Sequence, residues 1–373
     1  MTIWIRIEHR AGKMRSVQKL CMIVFIFITV SFVAFVTLKF QRIPFTDQEF
    51  IERIKLKLIG PYDPQTKLIN DLNITFTTPS IIQNSTEISS IQEDIFSFKK
   101  ELPKNTMNLS NEISVLTAYF NLGSFAKGSP GHQYTPNIYY KWMSVFGNLT
   151  NNLIVYTDDK IAYKYFQKLR EKFPKERTKI FLINKKELWS FQIEKNISQI
   201  YKQPGYPKYL PNTVVPGYSC AMHAKFELLN RVIRKNYFHT KFFMWLDIGL
   251  FRSLRNDSKF KLRVPTDFNE AKVAYSYVYD FKKDVTYKDI IYHNMVWVGG
   301  ASNLGKYDVL YKFTQEYLNF LNKSLSIKLI STDQQILYGM YVDKHKPETK
   351  LQLYKSGWFK LGYVCYTIEK TPT

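Results

Sequence analysis

Several polar residues in this chain stand where an apolar run stops, the position from which a side chain can be both fixed and exposed. In "FFMWLDIGLF" (242–251) a single acid, Asp247, interrupts apolar and aromatic side chains, with Gly249 two places on. "NLIVYTDD" (152–159) ends in Asp158 and Asp159, "TAYF" is followed by Asn121, and "VWV" by Gly299 and Gly300. An acid held at the end of a buried strand can offer oxygen to a divalent cation, since Mg²⁺ or Mn²⁺ takes one or two carboxylates together with phosphate oxygens. The apolar flanks then fix the acid and do no chemistry themselves.

The elements that would position these groups alternate. "ISVLTAYFNLG" (113–123), "NLIVYTDD", "TKIFLIN" (178–184), "KFFMWLDIGLF", "KVAYSYVYD" (272–280) and "NMVWVGG" (294–300) are predicted strands. Between them, residues 160–172 carry Ala162, Tyr165, Phe166 and Leu169 on one helical face, with Thr157 or Asp158 able to cap it. Residues 220–236 place Met222, Phe226, Leu229 and Ile233 at helical spacing, and 307–322 are amphipathic through Leu310, Phe313, Tyr317 and Leu321. "STDQQILYGMY" (331–341) opens a further helix, with Thr332 and Gln335 at capping-box spacing. The Pro-, Tyr- and Gly-containing stretch 203–219 fits a surface loop. Strands alternating with helices predict an α/β domain with a mostly parallel sheet covered on both faces, and ligands in such sheets sit outside the carboxyl ends of the strands.

The N-terminus bears on the compartment. Leu20–Leu38 is 19 residues without a charge, about enough to cross roughly 30 Å of hydrocarbon. Arg6, Arg10, Lys13, Arg15 and Lys19 precede it against Glu8 alone, so the positive-inside rule puts residues 1–19 in the cytoplasm. The stretch is long for a cleaved signal and no small-x-small site follows it. The organisation expected is a cytoplasmic tail (1–19), a transmembrane signal anchor (20–38), a stem (39–110) rich in Asn, Ser and Thr around 70–90, and a lumenal domain (111–373). Sequons at Asn73, Asn84, Asn108, Asn148, Asn196, Asn256 and Asn322 agree with a lumenal body. Cys21 falls in the span, which leaves Cys220 and Cys365 as the pair expected to be bridged in an oxidising compartment, with two buried free thiols as the alternative. The net charge of +22 would raise nucleic acid as a partner, but lumenal placement excludes it; solvated lysine faces account for most of the excess, and a diphosphate or acidic glycan for a smaller share.

A lumenal, singly anchored α/β body with a hydrophobic strand ending in acid resembles the Golgi glycosyltransferases of the GT-A fold. More narrowly, "ISVLTAYFNLG", "NLIVYTDD", the helix bearing Lys225, "FFMWLDIG" and "VWVGG", in this order, resemble the HtrL/YibB family over about residues 112–345. The GT-A resemblance implies a nucleotide-sugar donor, a glycan or glycoprotein acceptor, and a diphosphate bridged to the protein by Mn²⁺ or Mg²⁺ at a D-x-D motif. Here Asp247, Ile248 and Gly249 read D-x-G, so Asp247 is the metal candidate without the second carboxylate. The resemblance makes Lys225 a candidate for the diphosphate. It makes Asp333, in "DQQ", a candidate base for an inverting transfer, whereas an Asp in a first helical turn is also favoured by the helix dipole. Asp158 and Asp159 either cap a helix or contact the donor's base or ribose. On the acceptor side, Gly299 and Gly300 allow close backbone approach, and Trp297 either stacks on a sugar ring or is buried beside a tight turn. His223 reads as structural or surface, and His345 as a distant metal ligand by the same resemblance.

Two function classes follow from this reading. One is a type II membrane glycosyltransferase of the secretory pathway, in the Golgi or another secretory membrane. The other is a non-catalytic lumenal protein on the same fold that binds a glycan or a partner. Phosphate-loop, H-E-x-x-H, G-x-S-x-G and paired C-x-x-C patterns are absent from the sequence, which argues against kinase-like, metalloprotease, esterase and zinc-module chemistry.

Overall fold

The computed structural model describes Leu102 and residues 108–254 and 258–369. The expected tail and span, nearly all of the stem, and the sequons at Asn73, Asn84 and Asn256 lie outside the described residues. No helix among the described residues is long and apolar enough to cross a membrane. Asn108, Asn196 and Asn322 are exposed and Asn148 half-buried.

The strands are β1 (Ser110–Tyr119), β2 (Phe125–Lys127), β3 (Ser129–Tyr134), β4 (Asn152–Thr157), β5 (Thr178–Leu182), β6 (Thr240–Leu246), β7 (Phe260–Leu262), β8 (Lys272–Tyr277), β9 (Val298–Lys306), β10 (Lys350–Tyr354) and β11 (Tyr366–Ile368). The α-helices are α1 (Pro136–Met143), α2 (Lys160–Arg170), α3 (Trp189–Gln192), α4 (Glu194–Tyr201), α5 (Pro216–Lys235), α6 (Tyr287–Tyr292), α7 (Tyr307–Ser326), α8 (Asp333–Val342) and α9 (Lys360–Cys365). Seven strands form one sheet in the order β10-β8-β9-β6-β1-β4-β5, flanked by helices. β10 with β8, and β6, β1, β4 and β5 with one another, pair parallel; β9 runs antiparallel to both β8 and β6. β7 pairs with β11, and β2 with β3, in two small antiparallel ribbons.

The central strands read as unbroken apolar runs because they are covered on both sides: all of β4 is buried, and β6 is buried except at Lys241. The long helix α5 starts at Pro216, where a missing N–H costs nothing, inside the stretch expected to be a loop. It ends at Asn236, which takes the left-handed conformation (φ 39°) and whose side chain bonds both backbone groups of Thr240, the first residue of β6. That turn fixes the register between α5 and β6. Ten residues before that turn, Phe226 stacks on Tyr317 of α7 with centroids 3.4 Å apart.

The structure corrects three expectations. Cys220 and Cys365 are buried free thiols rather than a disulfide. Cys220 belongs to the main apolar cluster under α5, whereas Cys365 ends α9, outside that cluster. Burial pushes both thiols up, Cys365 to about 12. Second, the apolar run 294–297 is not strand. Asn294 turns left-handed (φ 48°) at the end of α6, Met295 N–H donates to the Ile290 carbonyl, and β9 begins only at Val298. Gly299 and Gly300 therefore lie inside β9 rather than beyond it. Third, Thr332 and Gln335 form no capping box, because the Thr332 hydroxyl bonds the Gln335 side chain at 2.6 Å.

Candidate functional site

Four segments meet outside the carboxyl end of β6. Lys225 points from the middle of α5, Asp247 is the first residue past β6, Gly300 is the third residue of β9, and Asp333 opens α8. Lys225 Nζ lies 3.1 Å from Asp247 Oδ1, 3.1 Å from Asp333 Oδ2 and 2.9 Å from the Gly300 carbonyl. Asp247 Oδ1 also accepts the Trp245 indole N–H at 2.6 Å, and the Asp247 amide donates to the Ala301 carbonyl. Asp247 is thus oriented by the strand it terminates and by the strand next to it.

Gly300 is what lets Asp333 reach the ammonium, since a Cβ there would come within 2.4 Å of Asp333 Oδ2. Asp333 is 5% exposed and Lys225 only 2%. Burial raises the Asp333 carboxyl above its ordinary value; Lys225 pulls it back and Asp247 pushes it further up. Burial alone would lower Lys225, but the two carboxylates outweigh it and hold the ammonium charged above its usual range. A buried cation paired this way is costly to break, because removing one partner leaves a charge without compensation.

These groups form the floor of a cavity of about 510 Å³, within the usual size for a small-molecule site. Its walls are aromatic: Tyr134, Tyr139, Trp142, Tyr218, Trp358 and Phe359. Two further cations line it. Lys127 donates to the Tyr218 hydroxyl at 3.0 Å, and the Arg252 guanidinium sits 4.8 Å from the Phe359 ring centroid and 5.6 Å from that of Trp142.

Of the residues singled out by sequence, Lys225, Asp247, Asp333 and Gly300 come together in this cavity. Gly249 and Thr332 also line it, whereas Asn121, Asp158, Asp159, His223, Trp297, Gly299 and His345 do not. Asp159 caps α2 through Ile161 and Ala162 and accepts from Asn121 and Tyr140, while Asp158 pairs with Lys185 at 2.8 Å and accepts from the Asn121 amide. Trp297 offers no face to a ligand: it is 7% exposed, with Phe281, Tyr341 and Tyr338 rings 4.6, 5.3 and 6.1 Å away. Gly299 serves packing, since a Cβ there would lie 2.7 Å from the Trp358 carbonyl. His223 is fully buried with Nδ1 2.8 Å from the Tyr317 hydroxyl, and His345 lies exposed beside Asp343.

Sequence reasoning missed the cavity walls. Lys127 and Tyr134 come from the β2–β3 ribbon, Trp142 from α1, and Arg252 from five residues past Asp247. The available signals were the Lys-Gly-Ser turn at 127–129 and Pro136 at a helix start.

The donor set is a poor match for a divalent metal held by the protein. Among the described residues no group of three or more His, Cys, Asp or Glu could hold one. The two carboxylates that converge are already joined by an ammonium, and one oxygen of Asp247 is shared with an indole N–H.

No curated protein matches the chain. Among solved structures it is similar to mouse xyloside xylosyltransferase 1 in its apo form, at 8% identity and a TM-score of 0.32, covering 65% of this chain and 85% of that one; a likeness that slight transfers neither fold nor chemistry. A family model described as a bacterial protein of unknown function (HtrL_YibB) matches residues 111–367, and the chain belongs to that family.

Proposed function

We propose that the chain is a GT-A-like glycosyltransferase that moves a sugar from a nucleotide-sugar donor to a glycan or protein acceptor. We further propose that residues 20–38 anchor it in the Golgi or another secretory membrane with its body lumenal. The observation that carries the activity is Asp333, a buried carboxylate at the floor of an aromatic-walled cavity outside the carboxyl ends of the central strands. Aromatic walls suit sugar rings, whose C–H faces pack on π surfaces, and Lys127 and Arg252 supply charge for a diphosphate. In the reaction Asp333 takes the proton of the acceptor hydroxyl as its oxygen attacks the anomeric carbon. The bond from that carbon to the phosphate oxygen breaks, and the nucleoside diphosphate leaves with the electron pair. Carboxyl protonation in a buried site is favoured by the same burial that raises the Asp333 pKa, which suits a base.

Calorimetric titration of the detergent-solubilised full chain with uridine and guanosine diphosphate sugars, with and without Mn²⁺, tests the donor half. Saturable binding of one of them is expected, and absence of binding to all would remove the enzyme reading. A second reading, a glycan-binding protein without turnover, is favoured by one observation: both carboxylates of the floor are engaged by Lys225. Donor hydrolysis or transfer that disappears in Asp333→Asn separates the two.

A further inference from the structure

The contacts of Lys225 have the form of a cation site. Its ammonium is enclosed by three oxygens, from Asp247, Asp333 and Gly300, at 3.1, 3.1 and 2.9 Å. An ammonium has three N–H donors and no acceptor, so these contacts use all three. The group is almost wholly buried and arrives on a rigid 20-residue helix, so it is part of the floor rather than a mobile surface charge.

We propose that the Lys225 ammonium occupies the place a divalent cation would need between Asp247 and Asp333, so that the chain carries its own cation there and the site works without a metal. A metal bridging the same carboxylates would need them at about 2.0–2.6 Å. It cannot share that space with an ammonium already hydrogen-bonded to both. Asp247 Oδ2, the oxygen left over, is 3.5 Å from the same nitrogen. Position 249, where a second acid would extend the donor set, is closed by the Trp142 indole. With one positive charge against two carboxylates, the floor is not a diphosphate attractor. Attraction of an anion then falls to Lys127 and Arg252 on the walls. The metal half of this inference does not depend on what the cavity binds.

The test uses Mn²⁺ alone, followed by its electron paramagnetic resonance signal, with the EDTA-treated, dialysed full chain in detergent. Wild type is expected to show no saturable Mn²⁺ binding that Asp247→Asn abolishes; binding that Asp247→Asn leaves unaltered lies elsewhere and counts as none at this site. Lys225→Ala, which empties the cation position and keeps both carboxylates, is expected to gain one Mn²⁺ per chain and to melt at a higher temperature when Mn²⁺ is added. The double variant Lys225→Ala/Asp247→Asn is expected to lose that gain. Wild-type binding abolished by Asp247→Asn would overturn the proposal, as would a folded Lys225→Ala that gains no Mn²⁺. Should Lys225→Ala not fold, the wild-type and Asp247→Asn titrations decide the matter by themselves. Nucleotide binding enters none of these readouts, so failure of the glycosyltransferase reading would be seen separately.

Discussion

The Trp142 indole fills the space a side chain at position 249 would need: a Cβ on Gly249 would stand 2.9 Å from Trp142 Cε3 and 3.1 Å from Cζ3. The absence of a side chain at 249, where the proposed glycosyltransferase reading would look for a second acid, is therefore tied to a tryptophan more than a hundred residues earlier, on α1. Gly249→Asp should not restore a metal motif. It should destabilise the protein by about 1–3 kcal/mol, the usual cost of overpacking, with Trp142→Ala in the same chain recovering part of the loss. Thermal melting of the three variants checks this, and an undisturbed Gly249→Asp would mean the indole is free to move.

Asp333→Asn should lower sugar transfer by about 10²–10⁴, the typical contribution of a positioned base, while nucleotide binding persists. Because the base must be ionised and burial raises its pKa, the acid limb of the rate profile should lie above the ordinary carboxylate range. Transfer that survives at the wild-type rate would place the base elsewhere.

Lys127→Met and Arg252→Met should each weaken uridine diphosphate binding by about tenfold, the scale of one charge-assisted hydrogen bond. Added salt should weaken wild-type binding and affect the variants less. Titration calorimetry at two ionic strengths gives both numbers; equal affinities in all three proteins would detach the walls from anion binding.

His223 makes the fold sensitive to acid. Burial pushes its pKa down to about 3, with the Lys225 charge adding to the shift. An unfolded histidine titrates near 6.5. Between those values the unfolded chain binds the extra proton, so stability is lost as pH falls from about 6.5 towards 3, by up to about 1.4 kcal/mol per pH unit. His223→Gln keeps a group that can hydrogen-bond the Tyr317 hydroxyl and should flatten this slope in urea unfolding between pH 7 and 4.5. Parallel slopes for the two proteins would show that other groups set the acid limit.

The thiols give a simple check on the fold. In a Cys21→Ser background, native protein should resist alkylation at Cys220 and Cys365, and denatured protein should take two labels without any reductant. Labelling only after reduction would mean that they are bridged.

The sequence made the sheet legible where burial is two-sided. β1, β4 and β6 are apolar runs, and α5 and α7 show their apolar faces at helical spacing, because the core demands it. Asp247 could be named from a strand end, and Lys225 and Asp333 through the family resemblance, but none of them as mutual contacts. Nothing local reports that α5 and α8 converge on one strand end. Trp297 shows the opposite limit: an aromatic residue beside two glycines reads alike as a sugar platform and as core, and only the rings of Phe281, Tyr338 and Tyr341 around it decide. Lys127 and Arg252 were invisible among many solvated basic residues until the walls were known.

The buried Lys225 ammonium also ties together parts of the chain that lie far apart in sequence. α5 and β6 are neighbours in the chain, so Lys225 and Asp247 can meet by local closure, but Gly300 and Asp333 arrive from 75 and 108 residues after Lys225, and such distant closures are slow. Until they arrive, the ammonium has one partner and stays costly to bury. A chain cut before β9 therefore leaves the Lys225 ammonium facing Asp247 alone, so the cavity floor belongs only to a chain that reaches Asp333.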